Sequence, residues 1–251
     1  MKRLSARRVF QCSKGLPALA ALTLLSPALA TAPDSNLAER TRACTACHGD
    51  QGRAGPDGYY PRLAGKPAGY LYHQLRNFAE GRRHYGLMTR LVDPLSDAYL
   101  REIAEHFAGL HLPYPAPTPS SLPVERLARG QQLVTRGDKA LGLPACVQCH
   151  GERLTGAQPH VPGLLGLPLD YLNAQLGAWQ TGQRRAHAPD CMAEIVKRLP
   201  QGDIIAVSSW LASQPLPADA RAAAASPRPA LGQTFRCGSA PELDSAPGSR
   251  P

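Results

Sequence analysis

The chain has 251 residues, enough for one or two domains, with 25 prolines, 23 glycines, seven cysteines and a formal net charge of +9. Five of its 28 Lys and Arg fall in the first 14 residues with no acid among them, so the remainder carries only about +4 (23 basic against 19 acidic). That balance, with no compact Lys/Arg run and no basic patch interleaved with aromatics, excludes a nucleic-acid partner.

In chain order, the first feature is a basic leader holding Lys2, Arg3, Arg7, Arg8 and Lys14. An apolar run from Leu16 to Leu29 follows, ending in Ala28-Leu29-Ala30, a small-residue cleavage site. This pattern predicts a secretory signal peptide over 1–30, cleaved near Ala30. The expected location is therefore the periplasm, an oxidising compartment for cysteine. No later stretch is apolar for long enough to span a bilayer.

A helix from Leu37 to Ala46 is expected to lead into Cys44-Thr45-Ala46-Cys47-His48, and one from Val124 to Val134 runs toward Cys146-Val147-Gln148-Cys149-His150. Both pentapeptides are C-x-x-C-H, the attachment signature of a c-type haem. Two thiols about one helical turn apart can form thioethers to the two vinyl groups of one porphyrin. The adjacent His then lies beneath the iron. Four of seven cysteines and two of eight histidines are spent this way. Zinc also favours cysteine pairs, but would need both pairs on one metal and has no use for the trailing His. Two covalently attached c-type haems, with iron, are the expected cofactors. Their propionates, up to four, would bring the exported chain near neutrality.

The two motifs belong to a longer repeat. Pro61-Arg62-Leu63-Ala64-Gly65 matches Pro162-Gly163-Leu164-Leu165-Gly166, and Tyr70-Leu71-x-x-Gln74-Leu75 matches Tyr171-Leu172-x-x-Gln175-Leu176. Phe78-x-x-Gly81 matches Trp179-x-x-Gly182, Met88 pairs with Met192, and Leu95 with Leu199. The chain is a duplication. Apolar residues at helical spacing predict helices around 70–78 and 171–179, and final helices opened by Ser96-Asp97 (Leu100, Ile103, Ala104, Phe107) and spanning Asp203–Leu211. The fold class is all-α: two tandem domains, 31–112 and 124–215, joined by a linker, 113–123, whose prolines favour an extended strap. Residues 216–251, rich in Pro and Ala, are expected to be mostly unstructured, with Phe235 and Cys237 able to pin part of them to the second domain. Each domain has few large apolar residues, and covalent haem is expected to complete its core.

With His48 and His150 as proximal ligands, Met88 and Met192 are the expected sixth ligands, one per half, at 40 and 42 residues' separation in the loop before the last helix. His/Met ligation raises the potential and suits an electron carrier. Arg82, Arg83, Arg184 and Arg185 either bind the haem propionates or form a solvated basic loop. Tyr60, Tyr70 and Tyr171 are expected to pack on haem. His73, His106, His111 and His160 lack partners at ligand spacing, and His84 and His187 leave bis-His ligation open. Cys191, beside Met192, either pairs with Cys237 or stays free as a competing thiolate ligand. The compartment and the count of leftover cysteines favour the disulfide.

The paired C-x-x-C-H-G motifs, the P-x-L-x-G and Y-L-x-x-Q-L segments and the Gly81–Met88 stretch resemble class I cytochromes c, and more narrowly the di-haem cytochromes c of the c4 type, over roughly 36–215. The resemblance implies two cytochrome c folds facing each other across a pseudo-twofold. It also implies that the Pro61 and Pro162 carbonyls accept the proximal histidine N–H. The implied role is single-electron transfer, not catalysis. The implied donor is a quinol–cytochrome c oxidoreductase or a dehydrogenase, and the implied acceptor a terminal oxidase or reductase. Peripheral membrane association stays open. The alternative is a di-haem redox enzyme or dehydrogenase subunit of the thiosulfate- or alcohol-oxidising type, with one open or Cys-ligated haem.

Overall fold

The computed structural model describes residues 37–55, 58–224 and 235–243. The expected signal peptide lies outside the described residues. The first half holds α1 (Leu37–Arg40), α2 (Arg42–His48), α3 (Ala68–Ala79), α4 (Gly86–Val92) and α5 (Asp97–Ala108). The second holds α6 (Val124–Arg136), α7 (Val147–His150), α8 (Leu169–Gln180), α9 (Cys191–Lys197) and α10 (Gln201–Ser213). The all-α expectation holds. Among the described residues strand is limited to a two-residue pair, β1 (Gly156–Ala157) against β2 (Val161–Pro162), antiparallel. No described helix is long and apolar enough to cross a membrane.

Local chemistry sets the boundaries. The helix expected over 37–46 is broken between α1 and α2 at Thr41, whose hydroxyl donates to the carbonyls of Leu37 (2.9 Å) and Ala38 (3.1 Å). Helices α3, α6, α8 and α10 each begin after a proline (Pro67, Pro123, Pro168, Pro200), whose fixed φ suits the turn into a helix. Ser96 caps α5 by accepting from the Tyr99 N–H at 3.3 Å, and Leu100, Ile103, Ala104 and Phe107 form its buried face. After each motif histidine a glycine turns the chain with positive φ, +76° at Gly49 and +81° at Gly151. At Gly49 a Cβ would sit 2.4 Å from the Ala54 carbonyl oxygen, so only glycine fits.

The two halves pack unequally. In the second, α6 crosses α10 and α8 lies against α10 and α9, around one core that includes Leu133, Val134, Leu172, Val196, Ile204, Val207 and Leu211. In the first, α3 packs on α5 and α4, and the buried apolars fall into two separate clusters, Leu71/Ile103/Ala104/Phe107 and Phe78/Val92/Leu100. Six of those seven side chains, all but Leu100, line a cavity. The first half is thus split around the space where a further apolar body belongs.

Residues 110–121 carry no helix or strand. They are held by Arg62, a residue without an expected role. Its buried guanidinium donates to the carbonyls of Leu112, Pro113 and Ala64 and lies 3.9 Å over the Tyr114 ring. Tyr114 in turn meets Gly166 of the second half, where a Cβ would be 2.4 Å from the ring. Of the segment expected to be mostly unstructured, 216–251, the described parts are packed. Ala223 bridges to Ala157, and residues 235–243 are tied down by the Cys191–Cys237 disulfide and by Phe235 under Arg198, 4.7 Å away. The remainder of that segment lies outside the described residues.

Candidate haem-binding site

One continuous cavity of about 820 Å³ runs through both halves, reached by His48, Cys44 and Met88 from the first and by His150, Cys149 and Met192 from the second. His48 and His150 end α2 and α7 and are 5% and 6% exposed. Each Nδ1 lies 2.8 Å from a proline carbonyl, Pro61 for His48 and Pro162 for His150. A carbonyl can only accept, so each Nδ1 carries the proton and each Nε2 keeps its lone pair. Burial, with the nearby Arg83 charge, holds His48 below its ordinary pKa against the opposing Pro61 contact, so the ring stays neutral. A neutral, oriented imidazole is what an iron ligand requires.

None of Cys44, Cys47, Cys146 and Cys149 is in a disulfide. Burial raises the Cys44 thiol pKa and pushes that of Cys146 up to about 12. Among the described residues no group of three or more His, Cys, Asp or Glu forms a metal cage. The two cysteine pairs therefore do not converge as a zinc site would require.

Met88 and Met192 lie within short helices, α4 and α9, and not in loops as expected. The reason is local: Asp190 caps α9 by accepting from the Ala193 N–H at 3.0 Å, and Leu87 and Met88 are good helix formers. Cys191 is bonded to Cys237, which takes the competing thiolate out of the ligand set. His187 is occupied as well, because the Arg82 guanidinium sits 3.1 Å from its Nε2 and can only donate, using the lone pair a ligand would need.

The four arginines separate into two pairs. Arg83 and Arg184 are buried and form an antiparallel bridge across the two halves. Arg83 donates to Gln74 (3.0 Å) in its own half and to Gln175 (2.7 Å) and Tyr171 (3.3 Å) in the other. Arg184 mirrors it, donating to Gln175 (2.9 Å), Gln74 (3.1 Å) and Tyr70 (3.3 Å). Two of the three tyrosines expected to pack on haem, Tyr70 and Tyr171, thus also serve this cross-link. Arg82 and Arg185 do not line the cavity. Neighbours along an extended segment point to opposite sides, and Arg82 is drawn to Glu80 and Asn77 instead, while Arg185 donates to the Gly81 carbonyl.

The wall fits a flat apolar body with anionic edges. Lys66, Arg83 and Arg184 are buried cations that form no ion pair among the described residues. Lys66 donates to the Gly163 carbonyl at 3.2 Å across the halves, and burial, with Arg62 beside it, lowers its pKa to about 8. The Trp179 indole N–H, a donor only, is buried on the wall and has no hydrogen-bond partner among the described residues. Haem propionates would supply acceptors and counter-charge to these groups. Lys66 carried no signal of its own in the sequence, and Trp179 was marked only as the repeat's match to Phe78, not as a hydrogen-bond donor to the cavity.

No family model matches the chain. It is 38% identical over 175 residues to the thiosulfate dehydrogenase electron acceptor of Thiomonas intermedia, covering 69% of this chain and 79% of that protein. It is 34% identical to cytochrome c4 of Pseudomonas aeruginosa, covering 76% and 94%. Among solved structures it resembles reduced cytochrome c4 of Pseudomonas stutzeri, with TM-score 0.59, 29% identity and coverage of 70% and 95%. It also resembles the thiosulfate dehydrogenase of Marichromatium purpuratum, with TM-score 0.62, 32% identity and coverage of 69% of this chain but 36% of that one. With both motifs, both histidine–proline contacts and the shared cavity in place, the chain belongs to the cytochrome c4 family, di-haem electron-transfer proteins with two covalently attached c-type haems.

Proposed function

We propose that this chain is a periplasmic carrier that takes electrons from a thiosulfate dehydrogenase and delivers them to a respiratory acceptor, a terminal oxidase or reductase. The observation behind the donor is the 38% identity, over 79% of its length, to a protein named for accepting electrons from that enzyme. The thiosulfate dehydrogenase of Marichromatium purpuratum, in which the similar region is 36% of a longer chain, supports the same pairing.

When bound, the haems supply one-electron iron couples near the electron-carrier range. The residues do the rest. Cys44 and Cys47, and Cys146 and Cys149, hold the two groups by thioethers. His48 and His150 ligate through Nε2, each ring fixed by its proline carbonyl. Met88 and Met192, on the cavity wall, would supply a further ligand to each iron, which would leave no position for substrate. Arg83, Arg184, Lys66 and Trp179 would take the propionates, and Arg83, Arg184 and Lys66 also hold the two halves in one arrangement. No acid–base pair is needed, because no substrate bond is broken.

The test is anaerobic mixing of the oxidised holoprotein with thiosulfate dehydrogenase and thiosulfate, followed in the visible spectrum. Reduction of both haems is expected. No reduction under those conditions, while ascorbate still reduces the protein, would exclude this donor.

A further inference from the structure

The duplication exposes a difference between the halves. In the first, Tyr59 is 62% exposed and Leu87 61%, and Leu91 is exposed beside them. Tyr59 and Leu91, together with Tyr85 and Met88, also line the cavity. A side chain that touches solvent and cavity at once is the whole thickness of the wall. The matching positions of the second half are His160 for Tyr59, Cys191 for Leu87 and Ile195 for Leu91. There the segment 235–243 lies on top. Cys237 is bonded to Cys191, Glu242 meets His160 Nδ1 at 2.9 Å, and Cys237 and Ala240 are buried against Val161. The Ser239 hydroxyl accepts from the His187 N–H at 3.1 Å, and Gly238 N–H donates to the Pro189 carbonyl at 2.9 Å. Cys237, Ser239, Ala240 and Leu243 themselves wall the cavity.

We propose that this disulfide-pinned strap seals the electron-exchange face of the second half, and that the equivalent face of the first, around Tyr59, Leu87 and Leu91, is where the electron-donating haem protein docks. The proposal rests on the dehydrogenase reading for the identity of that donor. The chain's own strap shows what covers such a face: small apolar side chains laid flat, with one carboxylate reaching in. Leu87, Arg90 and Leu91 share one side of α4 at i, i+3 and i+4, so the docking face is apolar with a guanidinium at its edge. A fitting partner brings an apolar rim around its own cofactor and a carboxylate opposite Arg90. One thin wall then separates the two redox groups.

The experiment is stopped-flow reduction of the holoprotein by thiosulfate dehydrogenase with thiosulfate, and separately by hexaammineruthenium(II), a donor too small to need a docking face. Leu87→Glu, which sets a carboxylate at the centre of the face, is expected to slow reduction by the enzyme at least about tenfold, as loss of a central contact does. Tyr59→Ser is expected to slow it to a smaller extent. Leu87→Glu, whose side chain does not line the cavity, should not slow reduction by ruthenium and should leave the far-red methionine band unchanged. Val124→Glu, at an apolar position 76% exposed and outside the cavity wall, should leave both rates unchanged. In the Leu87→Glu background, Cys191→Leu with Cys237→Ser frees the strap and should restore part of the enzyme-driven rate. Failure to restore it overturns the sealing role. An unchanged rate in Leu87→Glu overturns the docking face and leaves the electron-acceptor reading standing. A wild-type protein reduced by ruthenium but not by the enzyme overturns that reading, and this donor's docking with it.

Discussion

At the scale of single residues, the two proposed ligand sets are near copies of each other, and their small differences carry the interest. The histidine–proline contact is the same length in both halves, 2.8 Å. The methionines sit at matching places on the cavity wall, each one or two residues into a seven-residue helix. Such a repeat of an otherwise rare residue argues for ligation over packing, since core filling alone has no reason to use methionine twice at one position. Met88→Ala and Met192→Ala are each expected to remove about half of the far-red band of the oxidised protein, one ligand of two, and to open one iron to cyanide without loss of covalent haem. Full retention of the band in either variant would remove that methionine from the ligand set. The halves differ at Phe78 and Trp179, where only the second offers an N–H to the cavity.

At the scale of elements, the tightest crossing is α6 on α10. A Cβ at Gly130 would lie 2.2 Å from the Ala206 carbonyl oxygen and 2.7 Å from its carbon, both backbone atoms that cannot rotate away. Gly130→Ala should therefore force the helices apart. The strain, about 1–3 kcal/mol or more, outweighs the gain of up to about 1 kcal/mol in helix propensity. A fall in Tm of a few degrees, roughly 2–4 °C for each kcal/mol, is the expected readout. Gly177→Ala in α8, where a Cβ meets nothing within 4 Å, should be neutral or mildly stabilising. This crossing was invisible in the sequence, because a glycine inside an amphipathic helix looks the same whether it is crowded or open. What could be read there was whatever recurs at fixed spacing: the haem motifs, the apolar faces of α3, α5 and α8, the duplication and the leftover cysteine pair. Contacts between the halves could not be read. Arg62 clamping the linker, Lys66 reaching Gly163 and the arginines crossing to each other's Gln and Tyr depend on a docking that no local pattern encodes. The short helices around the methionines were missed because seven residues are too few for a periodic signal to stand out.

At the scale of the whole molecule, three histidines join the first half, the second half and the strap. The His73 ring, from α3, stacks on His160 at 4.8 Å with an interplanar angle of 7°, and meets His187 at 5.2 Å. Glu242 of the strap holds His160, and Arg82 faces His187. Burial lowers the His73 pKa to about 4, with the positive forms of His160 and His187 adding to the effect and the Ser239 backbone and Glu242 opposing it. Burial, then Arg82, lowers His187 in the same direction. An unfolded histidine titrates near 6.5, so between pH 6.5 and 4 the unfolded chain binds a proton at position 73 that the folded chain does not. Stability from this site is complete above about pH 6.5 and is lost as pH falls toward 4. His73 is only about half enclosed, so solvent screening reduces the effect to the order of 1 kcal/mol. His73→Gln keeps a polar side chain of similar reach but cannot titrate. It should flatten the fall of Tm between pH 6.5 and 4 in the holoprotein, with little change above pH 7. An equal slope in the variant and the wild type would place the acid sensitivity elsewhere. If the slope flattens, the junction where His73 meets His160 and His187 carries that part of the acid sensitivity.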